Sequence, residues 1–258
     1  STVIVNATVK KNNIKNKKKE YSRSSKVFVS KTVSGVSTNI TGLSTSQYYG
    51  TRVEDREISL NVPDVLHVHA IYESNATSAP TLPQLTLVEI SGSLLNAIQG
   101  DVVVGNETKA SARVVSTTAS SVTFTYLTEK SFSIEESVTF KKSGITATIS
   151  NVTDGDQDIV ESFTLDGGQR LEFLDYGRVV RKDGVEAPKR QITVVFDYYS
   201  IPAGDNGDFV SFSSYDADLY LRDIPSIRTL RSTDSLDIRP RVADYNPATD
   251  TLSPFEFK

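Results

Sequence analysis

The chain has 258 residues, a net charge of −4, a hydrophobic fraction of 38% and no cysteine. The missing cysteines exclude a disulfide scaffold and a thiolate metal site, and the weak negative charge argues against general nucleic-acid binding. No apolar run approaches the roughly 18 residues of a membrane-spanning helix, so we expect no membrane insertion. The low hydrophobic fraction favours thin β-domains with wide exposed faces over a thick α/β core.

The first fifty residues are polar and predict an extended N-terminal arm over residues 1–50. A lysine-rich run within it, from Lys10 to Lys19, has the charge that a phosphate-binding tract needs. Because no aromatic residue interleaves the lysines, a solvated basic loop or an arm packed against an acidic neighbour is the better interpretation. We therefore regard Lys17, Lys18 and Lys19 as candidates for assembly contacts.

A long extended segment follows between Arg56 and Glu73, where apolar and polar residues alternate on either side of Pro63. A period of two places His67 and His69 on one strand face. Two imidazoles on one face can bind the same Zn²⁺, but a site needs a third ligand and the sequence names none. The preferred interpretation is a half-exposed strand face without metal, and we expect no cofactor.

A Ser/Thr/Pro-rich stretch from Ser74 to Pro83 predicts a linker, after which residues 85–152 contain many short strands. Two stretches of this region, 99–115 and 135–149, echo each other. Each contains a strand, a Gly-bearing turn and a strand of small alternating residues. The echo predicts two halves of one small β-barrel.

The strongest structural signal is the stretch from Leu165 to Ser200. Two long runs of β-branched and aromatic residues flank a polar turn from Lys182 to Lys189. This pattern predicts a β-hairpin with an irregular loop. It carries no chemistry.

The C-terminal region contains many carboxylates, but the sequence does not show which two of them would face each other as a glycosidase pair. The motif Leu-Asp-Ile-Arg-Pro-Arg from Leu236 to Arg241 is more specific. An Asp followed closely by two arginines predicts an Arg–carboxylate fork that fixes the chain end to the sheet or to a neighbouring subunit. Asp237, Arg239 and Arg241 are therefore further assembly candidates.

Several spaced motifs together resemble a known family. They are Phe173 to Lys182, Ile192 to Tyr199, Leu221-Arg222-Asp223-Ile224-Pro225-Ser226 and Leu236 to Arg241. In this order they resemble a domain of virion structural proteins of tailed bacteriophages, notably large contractile-tailed and marine ones. The units around 135–149 are similar to small β-modules inserted in the same proteins. The resemblance covers most of 56–245 and leaves the first fifty residues outside.

The resemblance implies a non-enzymatic component of a phage tail, baseplate or tail fibre. Such a protein is made in the host cytoplasm, resides in the virion tail, and has copies of itself and other tail proteins as partners. With the strand patterns it leads us to expect an all-β fold. An antiparallel β-sandwich is expected from 51–84 and 153–245, with a small β-barrel inserted at 85–152. The extended arm at 1–50 and a tail at 246–258 complete the expected architecture.

Two other functions are open at this point. The first is a binding module whose exposed tyrosines stack on host-surface glycans, with Tyr48, Tyr49, Tyr198, Tyr199 and Tyr215 as candidates. The second is a polysaccharide depolymerase with paired carboxylates drawn from the C-terminal region.

Overall fold

The computed structural model describes residues 10, 12–29, 52–215, 236–239 and 241, and the backbone of 245–246 and 251–252. These residues form strands and a few short 3₁₀ turns, so the all-β prediction is confirmed. None of the helices in the described residues is long and apolar enough to cross a membrane.

In chain order the strands are β1 (Glu20–Val29), β2 (Glu57–Pro63), β3 (Val65–Glu73), β4 (Gln84–Val88), β5 (Val102–Gly105), β6 (Ser111–Thr117), β7 (Ser121–Tyr126), β8 (Ser137–Phe140), β9 (Thr146–Thr153), β10 (Gln157–Asp158), β11 (Phe163–Asp166), β12 (Tyr176–Arg181), β13 (Ile192–Ser200), β14 (Tyr245–Asn246) and β15 (Thr251–Leu252). The 3₁₀ turns are Leu94–Asn96, Val160–Ser162 and Phe212–Ser214.

Two antiparallel sheets form the sandwich. One has the strand order β1-β13-β3-β10 and the other has the order β11-β12-β2. Apolar side chains from both sheets form one buried core between them, because alternate residues of each strand point inward. This core includes Val27, Val29, Ile58, Leu60, Val65, Ile71, Phe163, Val179, Ile192, Val194 and Phe196.

The predicted hairpin between Leu165 and Ser200 is wrong. Strand β12 pairs with β11 and β2, whereas β13 lies between β1 and β3 in the other sheet. The polar loop between β12 and β13 therefore crosses from one sheet of the sandwich to the other. The hairpin in this part of the chain is formed by β11 and β12, with Phe163 opposite Arg181.

The described part of the predicted N-terminal arm belongs to the sandwich. Strand β1 pairs with β13 from Glu20 opposite Ser200 to Val29 opposite Ile192. The residues before it are also attached, since Lys17 N donates to Phe209 O over 2.7 Å. The extended-arm prediction is therefore wrong for residues 20–29, which form an edge strand of the larger sheet, and residues 15–19 are bonded to the segment that follows β13. Of the predicted tail at 246–258, the backbone of Asn246 and of β15 is described, and there β14 pairs with β15.

The six strands β4 to β9 close into a barrel with the order β4-β7-β6-β5-β8-β9. The barrel lies between Gln84 and Thr153, within which the expected insert at 85–152 falls. It has its own apolar core, built from residues that include Leu85, Leu87, Val103, Val114, Val122, Phe124, Val138, Phe140 and Ile149.

The two sequence echoes occupy equivalent places in the barrel, because exchanging β4, β5 and β6 with β7, β8 and β9 leaves every strand with the equivalent neighbours. Val103 pairs with Ala112 in the first half, and Val138 pairs with Ala147 in the second. A register shift interrupts the β4–β9 ladder, and a matching one interrupts the β7–β6 ladder. The barrel therefore consists of two copies of a three-strand unit.

The chain enters and leaves the barrel at a single point. Asp156 N donates to Thr81 O over 2.7 Å, and the Asp156 side chain accepts from Thr81 N over 2.7 Å. The barrel also contacts the sandwich near β1, where Gln99 Nε2 donates to Ser24 O over 2.8 Å. A small apolar cluster of Ala70, Tyr72, Leu82, Val115 and Val195 lies at this junction.

Candidate functional site

A group of buried charges surrounds Asp64, which follows the last residue of β2. Lys19 Nζ bonds directly to one Asp64 oxygen, and Gln169 Nε2 donates to the other over 2.8 Å. The side chains of Lys19 and Asp64 are each only 2% exposed. Lys19 Nζ also donates to Tyr215 OH over 3.2 Å.

These contacts decide the charge state of Lys19. Burial alone lowers the pKa of Lys19, but the Asp64 carboxylate and the hydrogen bonds from Lys19 to Asp64 and Tyr215 outweigh burial. The pKa of Lys19 is therefore raised above its usual value, and its ammonium group stays charged. Burial also raises the pKa of Tyr215, so its hydroxyl stays neutral.

Gln169 joins this pair to the C-terminal motif. Its Oε1 accepts from Arg239 Nη2 over 2.8 Å, while Arg239 Nη1 donates to Arg170 O over 2.6 Å. Arg239 also forms a two-bond fork with Asp237, over 2.9 and 2.7 Å. Arg239 thus attaches the segment 236–239 to the loop between β11 and β12. The Gln169 amide bonds Asp64 through its nitrogen and Arg239 through its oxygen.

The fork also sets the ionisation of Asp237. Burial would raise the pKa of Asp237, but the hydrogen bonds and charge of Arg239 hold it below its usual value. A general acid of a glycosidase needs the opposite shift. The other C-terminal carboxylates that we considered for a depolymerase lie outside the described residues: Asp216, Asp218, Asp223 and Asp234.

A second set of ion pairs continues along β12. Arg178 Nη2 donates to Asp175 over 2.6 Å, and Arg178 Nη1 donates to Glu57 on β2 over 2.9 Å. Arg170 forms a fork with Asp166, over 3.0 and 2.6 Å. Burial would raise the pKa of Asp166, but the hydrogen bonds from Arg170 and Gly168 N–H and the charges of Arg170 and Arg178 hold it below its usual value. We refer to Lys19, Glu57, Asp64, Asp166, Gln169, Arg170, Asp175, Arg178, Asp237 and Arg239 together as the ionic network.

The two histidines lie on one face of β3, with ring centroids 6.0 Å apart. His69 Nε2 is 2.8 Å from Asp197 Oδ2, which also accepts from Tyr21 OH over 2.5 Å. Burial would raise the pKa of Asp197, but His69, Tyr21 and Ser24 N–H hold it below its usual value. The described residues contain no group of three or more metal-ligating side chains. His69 is thus used in a buried polar cluster at the junction with the barrel.

The structure separates the three candidate lysines. Lys18 is exposed, as a solvated basic loop requires, whereas Lys17 and Lys19 are 1% and 4% exposed. Alternation along the extended backbone explains this, since Lys17 and Lys19 face the same side. The solvated-loop interpretation is therefore wrong for Lys17 and Lys19. Arg241, the last assembly candidate, is half-buried and bridges to Leu174 through the backbone.

The tyrosines that we considered for stacking on glycans lie in different surroundings. Tyr48 and Tyr49 lie outside the described residues. Tyr199 is 1% exposed and its ring meets Tyr215 edge-on at 5.0 Å, so Tyr199 offers no face to a sugar and this prediction is wrong. Tyr198 is half-buried and packs against Phe196 and the sandwich core. Tyr215 is held by Lys19 and Tyr199.

Sequence reasoning missed the partners that hold these groups together, above all Asp64, Gln169 and Asp197. Asp197 carried a usable signal, because a lone carboxylate within the apolar run from Ile192 to Tyr199 indicates a buried partner. Asp64 and Gln169 resemble ordinary turn residues. No family model, curated protein or solved structure matches this chain.

Proposed function

We propose that this chain is a non-enzymatic structural component of a bacteriophage tail, baseplate or tail fibre. It holds subunits together or connects fibres to the tail, and it acts in the virion with copies of itself and other tail proteins. The proposal rests on the resemblance of the spaced motifs and on the place where those motifs meet.

The single observation that supports it most is the convergence of two distant motifs in the ionic network. The motif from Phe173 to Lys182 supplies Asp175 and Arg178, and the motif from Leu236 to Arg241 supplies Asp237 and Arg239. Leu174 and Arg241 also meet through a backbone bridge. Residues that serve as mutual anchors belong to a framework, and charges paired in this way are not free for acid–base chemistry.

The test is to locate the chain in particles. Antibodies raised against the purified chain should label the tails of the source virions in negative-stain images, and its peptides should appear in the proteome of purified virions. In solution we expect a discrete oligomer by sedimentation velocity. A chain missing from purified virions, or one that lowers the viscosity of a polysaccharide solution, would refute the proposal.

A further inference from the structure

A cleft of about 800 Å³ opens beside the start of β1. One wall is the segment from Asn16 to Arg23, and the other is the turn from Ser213 to Tyr215. The cleft is strongly cationic, since Lys17, Lys18, Lys19 and Arg23 line it and Glu20 is the one carboxylate among its described lining residues.

Lys17 and Lys19 differ in how their charges are satisfied. Lys19 is neutralised by Asp64. Lys17 is 1% exposed, and in the described part of the chain no salt bridge or side-chain hydrogen bond reaches its ammonium group. A buried cation without a counter-charge is costly, so this position favours an anion that arrives from outside.

Two neighbours add to the positive potential. Lys18 is exposed. Its backbone N–H, and not its ammonium group, donates to the Asp205 carboxylate. The guanidinium of Arg23 lies over the Tyr21 ring at 5.1 Å, without an acidic partner among the described residues. The segment from Asn12 to Val29 contains six lysines and arginines and a single Glu, so its net charge is +5. The whole chain carries −4. The rest of the chain therefore carries −9, so positive charge is concentrated in the segment that forms this wall of the cleft.

We propose that this cleft binds a carboxylate-rich, extended peptide segment of a partner subunit. Strand β1 ends the larger sheet, and the barrel covers its outer side at Ser24. An extended segment can therefore run along the residues before Ser24, where its carboxylates meet Lys17, Lys18 and Arg23. Nucleic acid fits less well, because single strands require aromatic faces for stacking. The aromatic rings of the cleft are already engaged, Tyr21 with Asp197 and Arg23, and Tyr215 with Lys19.

The subunit nature of the partner rests on the proposed function, whereas the anion chemistry does not. The experiment measures fluorescence anisotropy of a labelled oligoglutamate peptide mixed with the full chain at low salt. We expect binding that added salt weakens, and about tenfold weaker binding for Lys17→Gln and for Lys18→Gln, which corresponds to about 1.4 kcal/mol each. Lys130→Gln, which removes an exposed charge on the barrel, should bind as the unaltered chain does.

Lys18→Gln keeps the test decisive if Lys17→Gln fails to fold, because the Lys18 side chain is exposed. Absent binding, or an equal loss in Lys130→Gln, overturns the proposal. Binding of a heparin oligosaccharide or of single-stranded DNA in place of oligoglutamate also overturns it. A chain found in virions that does not bind oligoglutamate refutes only the cleft, and a chain that binds oligoglutamate but is absent from virions refutes only the proposed function.

Discussion

Asp101 precedes the hairpin β5–β6 and binds the turn of the hairpin β8–β9, whereas Glu136 precedes β8–β9 and binds the turn of β5–β6. The fully buried Asp101 carboxylate accepts from the backbone N–H groups of Lys142 and Ser143, over 2.8 and 2.9 Å. Glu136 accepts from those of Glu107 and Thr108, over 2.8 and 2.7 Å. Both residues immediately precede the first strand of their hairpin, so the two-fold relation of the barrel extends to its buried charges. Burial would raise the pKa of Glu136, but these donors lower it.

We expect Asp101→Asn and Glu136→Gln to destabilise the barrel by similar amounts, about 2 kcal/mol each, because each amide leaves a buried turn N–H with a weaker or missing acceptor. Hydrogen exchange of barrel amides in the full chain measures the loss. Glu135→Gln, next to Glu136 but exposed, is the matched control. Unequal losses in the two variants would show that the two turns are not equivalent in energy.

The Lys19–Asp64 pair gives a second prediction. Lys19→Met should lower the free energy of unfolding by about 3–5 kcal/mol, because it leaves the Asp64 carboxylate buried without its cation. Adding Asp64→Asn should recover much of this loss, and Asn tolerates the positive φ of 63° at this position. Denaturant titration measures both variants, with exposed Lys18→Met as the control. A double variant no more stable than Lys19→Met would contradict the pairing.

Acid should weaken the attachment of the C-terminal segment. The folded pKa of Asp237 lies below the unfolded value of about 3.9, so its stabilisation is complete above that value and is lost as the pH falls through the folded pKa. We expect Asp237→Asn to reduce the dependence of unfolding free energy on pH below about pH 4. Asp183→Asn, on a side chain that is 86% exposed, should leave the dependence unchanged.

Two glycines with positive φ provide a matched pair. Gly168 (φ +82°) has the Asp175 carbonyl oxygen where a side chain would start, whereas Gly184 (φ +79°) has nothing within 4 Å. Gly184→Ala should cost about 1–2 kcal/mol from backbone strain alone. Gly168→Ala should cost about 1–3 kcal/mol more, because the loop carrying Gln169 must move. Thermal unfolding compares the two, and equal costs would show that this loop yields freely.

The sequence was informative where contacts are local. The echo within the barrel follows from turn residues and strand periodicity, and both are properties of neighbouring residues. The fork of Arg239 with Asp237 is likewise a contact between residues two positions apart. Such contacts need no knowledge of how distant segments meet.

The rest depends on long-range pairing. Two β-rich runs joined by a loop fit a hairpin and a crossing between sheets equally well, and β12 and β13 turned out to be the crossing. Lys19 could not be recognised as buried from its own neighbourhood, because Asp64, which neutralises it, lies on a turn between other strands. Gln169 has no sequence signal at all, since its role comes from reaching Asp64 and Arg239 together.

The backbone contact between Thr81 and Asp156 has an evolutionary consequence. Thr81 and Asp156, which flank the barrel in the chain, are hydrogen-bonded to each other. The segment between them can therefore be replaced by one of different length without altering the register between β3 and β10. The same closeness would let the barrel be circularly permuted, with new ends in the turn between β6 and β7. The sandwich can thus keep its strand pairing while the module inserted between β3 and β10 changes.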